Sequence, residues 1–204
     1  IWRGVYGVGA DYPNFTALIL ESGEFFALYF VAGQPSLRGG LVHGHGTVSD
    51  GNFLTNDAVD FNFAGAGASP VQLAATALAQ ATLRGSFTAA DNPLQSGDFS
   101  SLFDQLYHQV PSLATVAGRY DGELDSGAGA EFFSLQVSET GDIVATGSGG
   151  CRATGAVSPT ARGNAYEVEI VFGASPCALP DQAVTGAGFY DPNANLLLLG
   201  LVDS

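Results

Sequence analysis

The pair His43-Gly44-His45 is the first arrangement in the chain that could hold a metal. Side chains alternate along an extended strand, so both imidazoles project from one side, and two nitrogens at i and i+2 can chelate a transition metal. A complete site wants three or four ligands. With glycines on the opposite face, a solvent-facing pair is the simpler account. Asp121, Glu123 and Asp125 alternate in the same way and run into Ser126-Gly127-Ala128-Gly129 and Glu131. Hard oxygen ligands at the first, third and fifth positions begin a calcium loop. Here the turn glycine comes one position late, and Phe132 stands where the bidentate glutamate belongs, so an EF-hand is excluded and a solvated hairpin edge is expected.

Two carboxylate pairs, Glu167 with Glu169 and Asp57 with Asp60, have a spacing open to acid–base work. Alternate acids are also what the water-facing side of a strand shows. There is no Gly-x-Ser-x-Gly elbow, and His108 has no evident Ser or Asp arrangement around it. Gly147-Ser148-Gly149-Gly150 leads into Cys151 and no helix, which argues against a phosphate cradle. The expectation is a protein that is not an enzyme, with no catalytic residues and no cofactor, and with His43, His45, Asp121, Glu123 and Asp125 as the weak metal candidates. Cys151 and Cys177 are the only cysteines, and they sit about a strand pair apart in a β-rich stretch. That suits a disulfide closing a loop of roughly 27 residues. Two separately buried thiols are the alternative.

The elements that would carry these residues are strands. Ala17–Glu21, Glu24–Ala32, Leu54–Phe63, Ser134–Ser138 and Tyr166–Phe172 are short, aromatic or β-branched, and bounded by Gly, Asn or Ser. Glu21-Ser22-Gly23-Glu24 and Glu139-Thr140-Gly141-Asp142 read as hairpin turns. Only Phe99–Val116 looks partly helical, from Leu102, Phe103, Leu106 and Tyr107, with Pro111 interrupting it. Val71–Ala81 is ambiguous, its alanines favouring helix and its alternation favouring strand. The aromatics, Tyr6, Phe25, Phe26, Tyr29 and Phe133 among them, either pack a core or line a ligand cavity. One member of each adjacent pair is expected at an interface.

Motifs recur in order in the two halves. Gly4-Val5-Tyr6-Gly7 is matched by Gly118-Arg119-Tyr120-Asp121, and Gly46-Thr47-Val48-Ser49 by Gly155-Ala156-Val157-Ser158. Further on, Gly67-Ala68-Ser69-Pro70 is matched by Gly173-Ala174-Ser175-Pro176, and Gln80-Ala81 by Gln182-Ala183. Phe87 with Asp91-Asn92-Pro93 is echoed by Phe189 with Asp191-Pro192-Asn193. The fold expected is all-β: two tandem related β-barrel or β-sandwich units with a short, partly helical linker. The first unit is 1–90, the segment 91–112 is a linker with a closing strand or short helix, and 113–204 is the second unit, which contains the disulfide. If homologous strands pair alike, Val42 and Val71 lie side by side where the second unit has its cysteines. The second half stops soon after Leu196–Val202, which predicts a missing last strand and an unpaired edge.

The chain has 204 residues with a formal charge of −14, from 20 acids against six arginines and no lysine. Phosphate backbones and anionic lipid surfaces would repel such a chain, so nucleic acid is excluded as a partner class. A helix needs about 20 apolar residues to span a bilayer, and the runs Phe25–Gly33 and Leu196–Val202 are under half that. The two cysteines, the absence of methionine and the start at Ile1 read as a trimmed product from an oxidising compartment, outside the cell or in a bacterial envelope.

In Leu20-Glu21-Ser22-Gly23-Glu24-Phe25, Pro111-Ser112-Leu113-Ala114, Gly149-Gly150-Cys151 and Ser175-Pro176-Cys177-Ala178-Leu179-Pro180, the chain resembles a family of uncharacterised secreted proteins and lipoproteins of betaproteobacteria with tandem β repeats. The resemblance covers most of the chain. It implies export, a lipid anchor on a segment ahead of Ile1, and one further strand after Ser204. The function expected is therefore that of a non-enzymatic envelope or extracellular structural or interaction protein, with a protein partner or self-association by strand donation. The alternative is a β-barrel that binds a small apolar ligand.

Overall fold

The computed structural model describes residues 1–7, 12–65, 67–90, 96–126 and 129–203. Asp91-Asn92-Pro93 and Gly127-Ala128, named above, lie outside these residues. The chain divides into two compact units, Ile1–Gln105 and Leu106–Ser204. The expected 91–112 linker is thus shared out, its strand closing the first unit and its remainder falling with the second.

The first unit is a closed antiparallel barrel of eight strands: β1 (Trp2–Gly7), β2 (Asn14–Ile19), β3 (Glu24–Val31), β4 (Gln34–Ser49), β5 (Asn52–Asn62), β6 (Gly67–Leu78), β7 (Thr82–Ala89) and β8 (Ser96–Phe103). Each strand pairs with the next in sequence, and β8 returns to β1 with Trp2 opposite Phe103. The ambiguous stretch from Val71 is strand. Val71 and Ala75 face inward between paired neighbours, and that packing outweighs the few tenths of a kcal/mol by which each alanine prefers helix. The expected helical stretch 99–116 instead falls into three pieces: β8 to Phe103, a 3₁₀ turn at Gln105–His108, and a single helical turn α1 (Leu113–Val116). In β8 Phe99 and Ser101 point inward and Leu102 outward, so the i, i+4 spacing of Leu102 and Leu106 belongs to two different elements.

A bulge sets the phase of β5. The β5–β6 pairing runs Thr55 to Leu73 and then resumes at Ala58 with Val71, so the inward positions change from Phe53 and Thr55 to Ala58, Asp60 and Asn62. The β4–β5 pairing shifts at the same level, between His43 and Gly46. On the neighbouring wall the Tyr29 ring lies across Gly40, its cross-strand partner. A Cβ at Gly40 would strike the Tyr29 hydroxyl and come within 2.6 Å of the Phe61 carbonyl oxygen, so only glycine leaves the ring its place.

The second unit has seven antiparallel strands, again in sequence order: β9 (Gly118–Ser126), β10 (Gly129–Val137), β11 (Asp142–Gly147), β12 (Arg152–Pro159), β13 (Tyr166–Phe172), β14 (Ala183–Asp191) and β15 (Leu196–Asp203). The sheet curls into a nearly closed barrel whose edges are β9 and β15, each with a ladder on one side among the described residues. Its interior is filled by side chains including Val137, Ile143, Tyr166 and Phe172. The segment ahead of β9 is tied to this core. Val116 is fully buried, Tyr120 Oη donates to its carbonyl, and Tyr166 Oη accepts from Ser112 N while donating to Ser112 O.

Cys151 and Cys177 form a disulfide between the residue ahead of β12 and the β13–β14 loop. Val42 and Val71 are not side by side. They lie on β4 and β6 with β5 between them, and both face the interior of the first barrel. The expectation failed because the cysteines themselves are not on paired strands. The recurring motifs also place the seven-strand count differently. Gln80-Ala81 falls in the β6–β7 turn whereas Gln182-Ala183 leads into β14, so motif order aligns β14 with β7 and β15 with β8. The second unit has one strand fewer than the first, and the loop 173–182 joins β13 to β14.

Candidate ligand-binding site

The inward residues of the first barrel enclose a cavity of about 560 Å³. An eight-stranded barrel has room either to fill itself with side chains or to hold one small molecule, and this volume is that of small-ligand sites. At one end, where β2, β4 and β6 finish, the cavity has an apolar floor. Phe25 packs edge-to-face on Phe53 with ring centroids 5.8 Å apart, and both are buried. Phe15 and Phe99 pack in the same way at 6.1 Å further along the wall, as the cross-strand partners of Tyr29 and Tyr6, and Ala17, Ala27 and Val42 leave the space between the two aromatic pairs. The three small residues are cross-strand partners, Ala17 opposite Ala27 and Ala27 opposite Val42, which is why the void lies there.

The other end is polar, and its groups come from the closing residues of the odd-numbered strands. Tyr6 ends β1, Tyr29 β3, Asp60 and Asn62 β5, and Phe87 β7. Tyr29 Oη donates to Asp60 Oδ1 at 2.8 Å and accepts from Asn62 Nδ2 at 3.4 Å. Tyr6 Oη donates to the Phe30 carbonyl at 2.8 Å. The Tyr6 ring meets Tyr29 and Phe87 edge-to-face, with centroids 5.4 and 6.2 Å away. Burial raises the pKa of Asp60, with the hydrogen bond from Tyr29 opposing it. Burial, and then the charge of Asp60, raise both tyrosine phenols. Among the described lining residues there is no arginine.

The residues singled out for metal binding are arranged otherwise. The rings of His43 and His45 are 6.0 Å apart on the outer face, as the alternation predicts, but each has its own carboxylate. His43 Nε2 lies 3.0 Å from Glu24 Oε1, and the His43 ring stacks on Phe26. His45 Nδ1 lies 3.1 Å from Asp57 Oδ2, and its backbone N–H donates to Asp57 Oδ1. That backbone bond is the main reason the Asp57 carboxyl titrates lower than usual. Asp121, Glu123 and Asp125 share one face of β9, where two-residue steps of roughly 6.6 Å spread three carboxylates over about 13 Å, too far to share one ion. Arg119 holds Asp121 from the same face at 3.1 Å and lowers its pKa. Among the described residues no three His, Cys, Asp or Glu side chains converge.

Of the paired carboxylates, Glu167 and Glu169 face water on β13, and Asp57 is exposed as well. Asp60 is inside, which the alternation from Phe53 and Thr55 could not reveal because the bulge intervenes. The aromatic pairs split as the pleat requires. Phe25 points in and Phe26 out, and Phe133 joins the core while Phe132 is 64% exposed. Phe15, Phe53, Phe87 and Phe99 line the cavity without standing among the aromatics named for a core or cavity; in the sequence Phe87 reads as part of a recurring motif and Phe99 as the start of a helical stretch.

No protein-family model matches the chain, nor does any curated protein or solved structure show significant similarity to it.

Proposed function

We propose that the first barrel binds a small, largely apolar molecule in its interior, and that the protein works by binding and not by catalysis. The observation that carries this reading is the cavity of about 560 Å³ inside a closed barrel, apolar at its floor and polar at one end. The disulfide supports an oxidising location such as the cell envelope or exterior. The neutral dye N-phenyl-1-naphthylamine, which fluoresces in apolar surroundings, provides the test. The chain should take it up saturably, and Ala27→Trp, which fills the void left where Ala17, Ala27 and Val42 meet, should abolish uptake and keep the fold. Equal uptake by both proteins would place the dye elsewhere and remove the reading.

A second reading, a surface-acting protein that associates by strand addition, is supported by the edge strand β15. Among the described residues its only ladder is to β14, which leaves its other side for a further strand. Sedimentation velocity over a hundredfold range of concentration tests it. Association that Leu198→Lys with Val202→Lys abolishes would favour this reading, and a monomer throughout would end it.

A further inference from the structure

Resting on the reading that the barrel interior takes a small molecule, the geometry points to a cationic amphiphile: an alkylammonium whose apolar tail fills the cavity and whose charged head sits among Tyr6, Tyr29, Phe87 and Asp60. Tyr6 packs edge-to-face on both Tyr29 and Phe87, so three aromatic rings line the polar end, and ring faces attract ammonium groups, most strongly when desolvated. Asp60 supplies the counter-charge. Tyr29 occupies its Oδ1, and the carboxylate faces the cavity lumen with no cation among the described lining residues.

The same facts exclude the other head groups an apolar cavity could serve. A fatty-acid carboxylate would meet Asp60 with no arginine in the described lining to offset the repulsion, and the chain has no lysine. A neutral alcohol would gain a hydrogen bond but neither the charge nor the ring attraction. The upward shift of Asp60 on burial reports a carboxylate short of compensation, which a bound cation would relieve. The formal charge of −14 also raises the local concentration of cations around the protein.

Decyltrimethylammonium, decan-1-ol and decanoate share one tail and differ in the head, so their competition with the neutral dye isolates it. Measured below micellar concentrations at about 150 mM salt, where surface charges are screened, the ammonium should displace the dye at a concentration at least about tenfold lower than the alcohol, with decanoate weakest. Asp60→Asn, with its own dye affinity measured first so that displacement is compared as a ratio of competitor constants, should bring ammonium and alcohol to within about threefold of each other. That variant moves the net charge only from −14 to −13, so attraction by the acidic surface as a whole would survive it. Dye uptake with no preference for the ammonium, or a preference that Asp60→Asn leaves intact, overturns this inference and spares the binding reading. Absence of dye uptake counts against the binding reading, and calorimetry with decyltrimethylammonium alone then decides the inference: no saturable heat ends it.

Discussion

Asp60 is a carboxylate kept in a place that costs the fold. Burial holds its pKa above the ordinary value of 3.8, so the folded protein binds more protons than the unfolded one between that value and the raised one. Stability of the first barrel therefore falls as pH climbs through this window and stays lower above it. Asp60→Asn, whose amide oxygen can still accept from Tyr29, removes the charge. It should raise the melting temperature of the first unit at pH 7, with the gain shrinking as pH drops toward 4, as scanning calorimetry at several pH values would show. An equal gain at both extremes would mean that packing, and not charge, is responsible. The sequence hides this residue for a local reason. Counting alternate positions from Phe53 and Thr55 puts Asp60 outside, and a bulge of one extra residue that no residue type announces puts it inside.

Elements built on unbroken alternation were readable. Tyr166–Phe172 is strand with the same limits as expected and buries every second side chain, and both predicted hairpin turns lie between paired strands. Barrel closure was readable only as one of two alternatives, a closing strand or a short helix within 91–112, because Phe99, Leu102 and Phe103 of β8 also fit a helical pattern. The cavity depends in turn on where small residues meet across strands. The approach of Tyr29 to Gly40 is the most exacting of these fits. Gly40→Val should destabilise the first unit by about 1 to 3 kcal/mol in urea unfolding and weaken dye uptake, since the new side chain displaces the ring from the polar end. Unchanged stability would mean that β4 shifts freely at this point.

At the scale of the molecule, two compact units each have their own core. Only the second contains the disulfide, whose cysteines are 26 positions apart. Chain-entropy arithmetic gives such a cross-link about 3 to 4 kcal/mol, acting through the unfolded state. Reductant should therefore lower the melting of the second unit by several degrees and leave that of the first in place, a difference that calorimetry with and without reductant resolves. A shift of both transitions together would show that the units unfold as one. Chelator should leave both transitions where they are, since His43 and His45 are each held by a separate carboxylate and β9 spreads its acids along a strand.

The seam that closes the first barrel also decides how it responds to force. Its two ends leave from one cross-strand pair, Trp2 opposite Phe103, fastened by Asp104 N donating to the Ile1 carbonyl at 2.9 Å and by the 2.6 Å ion pair of Arg3 with Asp104. Tension along the chain therefore loads the β1–β8 hydrogen bonds one after another, as in a zip, and does not shear them together. In single-molecule pulling from residues 2 and 103, this barrel should open at lower force than when gripped across β1 and β8 in the shearing direction. A barrel whose hydrogen-bond ladder is unbroken all the way round would then be one that a gentle pull unlatches, starting beside Trp2 and Phe103.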